Sequence, residues 1–435
     1  QRLVAQGRMA GAVAGLNDCL ADCLQRLEET AVSSAQQGIE KYRKGDLALT
    51  VVDNGGRAVS NARVNYQQIS HDFQFGANPL GANGVYDASV AGLMRDAGFN
   101  QTYATVRWGL IETAPGKFDW WNIDQQQQID ELIAQGVGIV GALCLWTTAN
   151  SDFAPQYVQG LSFDELLSAV DGFASAIAER YAGRIDVWEI NEFNLSAANS
   201  LNLSQEQRMR LANTFQRAVK RGNPRALILN NSTALSWESS DSADFLGMLR
   251  NGAPADIVGL ECYYSGMCST GYNPPQVTLH GLSQLVDSYS SLGKPIYITE
   301  LCAPSEQVSA TWWQSQWDEA TQARYVEYFY TMMFGKRYVN AITWGWGVLD
   351  SDAWTVSGGL LTDAKAPKAA YWSIKTLIDS WTTRGSSATD SRGRCTIRGY
   401  AGDYHVVITA NGKTQTQTVH IDEQSTRTLK ITLPK

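Results

Sequence analysis

The sequence predicts an α/β protein built on a (β/α)8 TIM barrel, with a helical N-terminal leader and a small accessory β-sandwich. Three observations predict this fold class. Short apolar runs alternate with amphipathic helical stretches eight times between residues 72 and 384. Leucines recur at helical spacing before residue 45, and short alternating strands occur near both ends of the chain.

The N-terminal leader, residues 1–45, is predicted from its leucine and cysteine spacing. The apolar positions that recur every three or four residues are Leu16, Leu20, Cys23, Leu24 and Leu27. A charged segment then precedes Gly45, so a helix is predicted over residues 3–44 with a stop at that glycine. We interpret it as a helix that packs on the next domain, and a partner-binding helix is the alternative.

Two β-rich regions, residues 46–71 and 385–435, are each too short to fold well alone. Alternating apolar positions and the Asn411-Gly412 turn signal identify them as strands and hairpins. They are predicted to join in one small sandwich made from the two ends of the chain. A structural brace is the favoured interpretation of this sandwich, and a sugar-binding module is the alternative.

Residues 72–384 form the predicted barrel. Its eight expected strands are Phe73–Ala77, Tyr103–Trp108, Gly138–Trp146, Ile185–Asn191, Ala226–Asn230, Ile257–Cys262, Pro295–Glu300 and Ala341–Trp346. A doubly wound sheet is the alternative fold. It would require a glycine-rich phosphate loop after the first strand, and Gly76–Gly84 does not carry one.

Composition excludes several functional classes. The net charge of −8 argues against a nucleic-acid partner, which needs a basic surface. No apolar run reaches the roughly 20 residues of a membrane span. Only 4 His are present, so neither a metal site nor a cofactor is predicted.

The cysteines leave the redox compartment open. The 7 Cys cannot all pair within one chain, although Cys262 and Cys268 could close a short loop, and Cys19 and Cys23 lie one helical turn apart. A secreted or periplasmic location is expected, without a signal peptide visible in this chain.

Two glutamates stand where a barrel holds its catalytic groups. Asn191-Glu192 ends the fourth predicted strand and Glu300 ends the seventh, each after a nearly all-apolar run. These strands lie on opposite sides of a barrel mouth, so the two carboxylates are expected to face each other. Retaining glycosidases hold two carboxyl groups about 5–5.5 Å apart. Rim salt bridges to Arg or Lys are the alternative explanation.

Other carboxylates near the strand ends receive lesser predictions. Glu189 is expected to be a paired structural charge, and Glu261 is a further candidate for the site. Asp350 and Asp352 are expected to position substrate or to order their loop, and Glu112 to anchor a helix or loop.

Several motifs resemble one family. Asn191-Glu192 and Thr299-Glu300 look like the acid/base and nucleophile motifs of clan A glycoside hydrolases. Arg107-Trp108 and the segment from Trp346 to Asp350, followed by Trp354, resemble glycoside hydrolase family 10, the xylanase family. The resemblance covers about residues 72–380 and is most specific in its last stretch.

This resemblance implies a retaining enzyme that cleaves β-glycosidic bonds of xylan or a related polysaccharide by double displacement. Glu192 would be the acid/base and Glu300 the nucleophile, with Asn191 donating to the sugar 2-hydroxyl. The expected further substrate-binding residues are Arg107, Tyr263, Tyr264, Trp146, Trp344, Trp346 and Trp354. Arg107 and a hydroxyl of Tyr263 or Tyr264 are expected to keep Glu300 ionised.

This sequence also departs from the family pattern. Tyr103 and Ala104 stand where the family has a Glu-Asn pair, and Ala142 and Thr147 stand where it has two histidines. An exo-acting glycosidase on a different sugar and a non-catalytic carbohydrate-binding barrel therefore remain alternatives. The polysaccharide or oligosaccharide substrate is the one partner expected.

Overall fold

The computed structural model describes residues 2–81, 85–142, 145, 152–190, 199–232, 239–264, 278–308, 313, 316–353 and 355–434. For residues 2–18 and 239–242 it describes the backbone alone. Within these residues, eight parallel strands close into a barrel surrounded by helices. The predicted fold class is confirmed. A closed barrel also excludes the doubly wound sheet, which would have two open edges.

The N-terminal region consists of one long helix and two strands, α1 (Arg2–Tyr42), β1 (Lys44–Val52) and β2 (Arg63–Gln68). The helix ends two residues before the predicted Lys44. Lys44 instead begins β1, where it lies opposite Tyr400 in an antiparallel pair with a strand from the other end of the chain. Strand pairing across the sequence thus determines where the helix stops.

All eight predicted barrel strands are present, with shifted ends. They are β3 (Gln74–Ala77), β4 (Gln101–Thr105), β7 (Gly138–Ala142), β8 (Val187–Ile190), β9 (Leu227–Ser232), β10 (Ile257–Tyr263), β11 (Ile296–Cys302) and β12 (Val339–Trp344). The short hairpin β5 (Glu112–Ala114) and β6 (Lys117–Phe118) follows β4. Neighbours in the barrel follow chain order, with β12 closing onto β3.

Helices between the strands cover the outside of the barrel. They are α2 (Ala88–Asp96), α3 (Trp108–Ile111), α4 (Ile129–Ala134), α5 (Phe163–Arg180), α6 (Gln205–Gly222), α7 (Ser239–Arg250), α8 (Leu279–Tyr289), α9 (Glu319–Phe334) and α10 (Ala369–Ser380). Among these helices, α5 and α6 are amphipathic, each with buried apolar residues at helical spacing. Each begins with a capping box, formed by Ser162 with Glu165 and by Ser204 with Gln207.

The chain ends in five strands: β13 (Arg384–Ala388), β14 (Arg394–Tyr400), β15 (Gly402–Ala410), β16 (Lys413–Ile421) and β17 (Thr426–Thr432). They form two sheets with the N-terminal strands, in the orders β14-β1-β17 and β13-β2-β15-β16. Apolar residues from both ends of the chain, among them Leu49, Val64, Val406 and Ile431, share one core. The domain boundaries at residues 45, 71 and 384 stay a prediction.

Arg43 joins the leader, the barrel and the sandwich. Its guanidinium is buried and donates to the backbone carbonyls of Phe334, Lys336 and Val339. It also forms a 2.9 Å ion pair with Glu423 and lies over the ring of Phe334. Since Val339 begins β12, this contact lies at the end of the barrel where the strands start.

The described cysteines are free thiols. Cys262 and Cys302 are buried, Cys395 is half-buried, and Cys19 and Cys23 are exposed on α1. The suggested Cys262–Cys268 bridge is therefore wrong. Cys262 lies inside β10, where it is fully enclosed, and Cys268 lies outside the described residues.

Candidate active site

The carboxyl ends of the barrel strands form the mouth at which the site was predicted. Glu300 lies on β11, near its end, and Glu192 follows β8 by two residues in the sequence. Two strands, β9 and β10, separate β8 from β11 on one side of the barrel, and four separate them on the other. Catalytic groups in this fold come from the carboxyl ends of several different strands.

Part of the predicted site lies outside the described residues. These are Asn191, Glu192, Trp146 and Trp354. Their predicted roles stay predictions.

Glu300 is half-buried and lies opposite Glu261 of the neighbouring strand β10. The pairing of β10 with β11 shifts register between Leu260 and Glu261. Such an irregularity re-aims the side chains beside it, and it is common next to active sites. The shift therefore places two glutamates of adjacent strands at the same level of the barrel.

A buried polar network fills the barrel below this level. The side-chain amide nitrogen of Asn231 on β9 donates to Glu261 Oε1 at 2.8 Å and to Glu189 Oε1 at 3.3 Å. The Thr299 hydroxyl donates to Asn231 Oδ1 at 2.7 Å. Glu189 and Glu261 are only 2% and 3% exposed. Two carboxylates thus meet at one amide inside the barrel.

Both glutamates had lesser predictions from the sequence. Glu189 lies inside the barrel and accepts a hydrogen bond from Asn231, and its role as a paired structural charge stays a prediction. Glu261 is buried beside Glu300 in the strand register, so it belongs to the surroundings of the site. Glu112 bonds Trp108 Nε1 at 2.6 Å and the Gly116 backbone N–H at 2.7 Å, as expected of a loop anchor.

Tyr103 on β4 completes the interior. Burial raises its pKa well above the usual value, and the negative charges of Glu189 and, to a smaller degree, Glu300 raise the pKa further. The phenol is therefore a neutral group. Its ring packs with Val140 and Ala142, and Trp346 lies against this cluster.

Trp346 suits the predicted role of a platform under a sugar ring. It is half-buried at the mouth, and Asn78 Nδ2 donates to its backbone carbonyl at 3.0 Å. A half-buried indole whose backbone is held by a hydrogen bond can stack on a pyranose ring. This residue stays the candidate platform on β12's side of the barrel.

Trp344, predicted to bind substrate, lies elsewhere. It is 0% exposed and belongs to the apolar core between the barrel and its helices. Successive residues of a strand point to opposite sides, and Trp344 points outward from the barrel. That placement contradicts a contact with substrate.

Tyr263 and Tyr264 also lie in different surroundings. Tyr263 ends β10 and is buried. The hydroxyl of Tyr264 accepts a hydrogen bond from the Trp313 backbone N–H at 2.8 Å, and its ring packs against Trp317 and Tyr325 on the helical side. Of the two predicted hydroxyls, Tyr263 is thus the one left as a candidate for Glu300.

Arg107 makes its described contacts on the rim. Its guanidinium lies 3.7 Å from the carboxylate of Asp152 and 5.5 Å from the ring centre of Phe153. Both contacts belong to the loop that follows β7. That Arg107 keeps Glu300 ionised stays a prediction.

Neither the network around Asn231 nor the burial of Tyr103 beside it was predicted from the sequence. Polar residues at alternate positions of otherwise apolar strands were the available signal. On β10 this signal is shown by Glu261 and Tyr263, because side chains two residues apart on a strand share a face. Partner choice among such residues depends on strand register, which a single sequence does not give.

The described residues contain neither a cluster for a metal ion nor a membrane-spanning helix. No group of three or more His, Cys, Asp or Glu among them could hold a metal ion. No helix in this part of the chain is both long and apolar enough to cross a membrane.

Comparisons with known proteins agree with this geometry. The family model for glycosyl hydrolase family 10 matches residues 69–377, which is more than half of the chain. Anti-sigma-I factor RsgI6 of Acetivibrio thermocellus is 24% identical over 88% of this chain and 47% of its own length. Endo-1,4-beta-xylanase 1 of Arabidopsis thaliana is 21% identical over 97% of this chain and 42% of its own length. The chain thus spans about half the length of these curated relatives.

Solved structures show the same fold. Xylanase 10B from Thermotoga petrophila, in complex with xylobiose, superposes with a TM-score of 0.54 and 17% identity, covering 71% of this chain and 94% of that one. The Penicillium canescens endo-1,4-beta-xylanase XylE gives a TM-score of 0.55 and 16% identity, covering 70% and 94%. Similarity at this level of identity concerns the fold alone.

Proposed function

This chain belongs to glycosyl hydrolase family 10, and from that premise we propose that it is a retaining glycoside hydrolase that cleaves β-linked xylan or a related polysaccharide by double displacement. The observation that carries the proposal is the position of Glu300. It lies near the carboxyl end of β11, at the barrel mouth, and Glu192 follows β8 in the sequence. Two carboxyl groups, one on each side of the bond to be broken, are what this mechanism needs.

Glu300 is the proposed nucleophile. In the first step its carboxylate attacks the anomeric carbon, a bond forms between carbon and carboxylate oxygen, and the bond to the leaving oxygen breaks. Water then attacks the same carbon and releases Glu300. Inversion occurs twice, so the configuration at the anomeric carbon is retained.

Glu192 is the proposed acid/base. It gives its proton to the leaving oxygen in the first step and takes one from the attacking water in the second. Asn191 is proposed to donate to the sugar 2-hydroxyl, a contact that strengthens as positive charge develops on the ring. Both roles come from the motif, because these two residues lie outside the described ones.

Several observations support a sugar substrate. The half-buried indole of Trp346 lies at the mouth, above the Tyr103 cluster. Three of the similar proteins described above are named as xylanases, and one of them is described in complex with xylobiose. Xylan is therefore the first substrate to test, and secretion to reach it is part of the same proposal.

The decisive experiment is Glu300→Ala with azide rescue. The variant is expected to lose at least about 10⁴-fold in turnover of an aryl β-xyloside, because the nucleophile is gone. Azide should restore part of the activity by entering the vacated space, and the product should be the α-xylosyl azide, with inverted configuration.

The matched control is Glu306→Ala, which removes an exposed glutamate a few residues further along the same segment. Its turnover should match that of the unaltered protein. A Glu300→Ala variant with unchanged turnover would overturn the mechanism. Binding of xylo-oligosaccharides by an unaltered protein that hydrolyses none of them would instead favour the non-catalytic carbohydrate-binding barrel.

A further inference from the structure

Two buried glutamates on opposite sides of Asn231 have no counterpart in the reaction described above. Glu189 comes from β8 and Glu261 from β10, and the same amide nitrogen bonds both. Their bonded oxygens therefore lie no more than about 6 Å apart, a range in which one carboxylate disfavours ionisation of the other.

The orientation of the Asn231 side chain is fixed. An ionised carboxylate only accepts hydrogen bonds, so the amide nitrogen faces the two glutamates, and Asn231 Oδ1 accepts the hydroxyl hydrogen of Thr299. That nitrogen carries two hydrogens, one for each glutamate. The amide can hold both side chains in place, but it brings no charge to offset theirs.

Burial opposes a double negative charge at this place. The side chains of Glu189 and Glu261 are nearly inaccessible to solvent. A negative charge on either one also shifts the pKa of a neighbouring group. Burial and then Glu189 raise the pKa of Tyr103, and burial and then Glu261 raise the pKa of the Cys262 thiol. Tyr297 and Glu300 on β11 are the other titratable groups that act on Tyr103.

We propose that Glu189 and Glu261 share one proton at neutral pH, and that this singly charged pair, held by Asn231, is a positioning element for Glu300. Glu261 lies opposite Glu300 in the strand register, and Thr299, which fixes Asn231, directly precedes Glu300. One charge rather than two then lies beside the nucleophile, which can stay ionised. The catalytic half of this inference rests on the proposed function, whereas the shared proton does not.

The shared proton predicts a pH-dependent stability difference. Glutamate in the unfolded chain loses its proton near pH 4.3, whereas the folded pair keeps one through neutral pH. The folded state then binds more protons than the unfolded state, so this pair contributes less stability as the pH rises. A Glu261→Gln or Glu189→Gln variant lacks this difference in bound protons between the folded and unfolded states.

Urea unfolding of each single variant and of the unaltered protein between pH 5 and pH 7 measures the effect. The unfolding constant of the unaltered protein, divided by that of the variant, should rise by nearly tenfold per pH unit, the value for one proton. The matched control is Glu112→Gln, because Glu112 is also buried but its donors, Trp108 and Gly116, are not shared with a second carboxylate. Its ratio should stay level.

The catalytic half is tested by the acidic limb of kcat/KM against pH on an aryl β-xyloside. Each single Gln variant keeps one negative charge beside Glu300, so its acidic limb should stay in place. The Glu189→Gln/Glu261→Gln double variant removes that charge, and its limb should move about one pH unit lower. A purely structural role would move no limb.

Three results would overturn the inference. A level stability ratio for both single variants would mean that no proton is shared. An acidic limb that moves in both single variants would mean that the pair carries two charges. An acidic limb that stays in place in the double variant would mean that the pair does not act on Glu300.

Infrared spectra of the unaltered protein at pH 7 give a readout that needs no variant, because a shared proton requires the carbonyl band of a protonated carboxyl group. An unaltered protein that hydrolyses nothing counts against the proposed function alone.

Discussion

Charged groups are buried at both ends of the barrel, and the two ends treat them differently. Where the strands begin, the Arg43 guanidinium donates to three backbone carbonyls and pairs with Glu423. Where the strands end, Glu189 and Glu261 meet at a single neutral amide. The first end is compensated by an opposite charge, whereas the second end brings two carboxyl groups to the same amide.

This difference separates stability from function. A buried charge with a full set of partners fixes the elements that supply them, here the leader, α9, β12 and the sandwich. Carboxyl groups buried close together cost stability, and perturbed proton affinities are typical of active sites. Substitution of Arg43 is therefore expected to act on unfolding, whereas substitution of side chains that face the barrel mouth is expected to act on kinetics as well.

The largest expected effect comes from breaking the compensated end. Arg43→Met removes the donors of three carbonyls and the partner of Glu423, and should lower the free energy of unfolding by about 3–5 kcal/mol in urea titrations. Arg57→Met is the control, because the Arg57–Asp53 pair is exposed, and should change it by less than about 1 kcal/mol. Equal losses of unfolding free energy in the two variants would show that the contacts of Arg43 contribute no more than an exposed ion pair.

Two tryptophans of the same strand end sharpen the comparison at the other end. Trp344→Ala should cost about 3–5 kcal/mol of unfolding free energy, because the side chain is enclosed in the core. Trp346→Ala should cost far less stability and instead raise KM for xylo-oligosaccharides about tenfold. Steady-state kinetics and urea unfolding on both variants check this. A KM that is unchanged in Trp346→Ala would argue against the platform.

His71 gives a medium effect at the base. Burial, together with the positive charge of Arg43, lowers its pKa to about 3. In the unfolded chain His71 therefore takes up a proton near pH 6.5, whereas in the folded protein it stays neutral. The free energy of unfolding thus falls as the pH falls from 6.5 towards 3. Between pH 7 and pH 5 the loss is about 2 kcal/mol.

The His71→Asn variant isolates this contribution. Asn offers an acceptor to the Phe73 backbone N–H in place of the ring Nδ1, but does not take up a proton. The unfolding free energy of this variant, minus that of the unaltered protein, should rise as the pH falls from 7 to 5. A difference that stays constant would show that His71 does not titrate on unfolding.

His420 gives the smallest effect, with the opposite sign. Partial burial lowers its pKa, but the bond to Asp403 and the charges of Asp72, Asp403 and Asp422 outweigh that and raise it. Its contribution is therefore complete below pH 6.5 and is lost as the pH rises through the folded pKa. Since the pairs are partly exposed, His420→Gln should cost about 0.5–1 kcal/mol at pH 5 and less at pH 8, by urea unfolding. An equal cost at both pH values would contradict this.

The sequence predicted the fold well because periodicity is a local property. Eight apolar runs gave eight barrel strands, and the turn at Asn411-Gly412 has the positive φ angles that its type requires. The same reasoning joined strands from both ends of the chain, since neither group could bury its own apolar face.

The site was predicted less completely, for a physical reason. Glu300 could be recognised because a carboxylate after an apolar strand is unusual, but its neighbours depend on register and on which face each side chain takes. Trp344 was assigned to the wrong face, and Tyr264 turned out to pack against helices. The contact of Asn231 with two glutamates joins three strands, and no local pattern reports such a meeting.

The central claim is that Glu300 and Glu192 cleave a glycosidic bond with retention. Proton NMR recorded during the first minutes of hydrolysis of an aryl β-xyloside, or of another accepted β-glycoside, tests it most directly. With retention, the β anomer of the released sugar appears first, and the α anomer accumulates only later, by mutarotation. Initial release of the α anomer would contradict it.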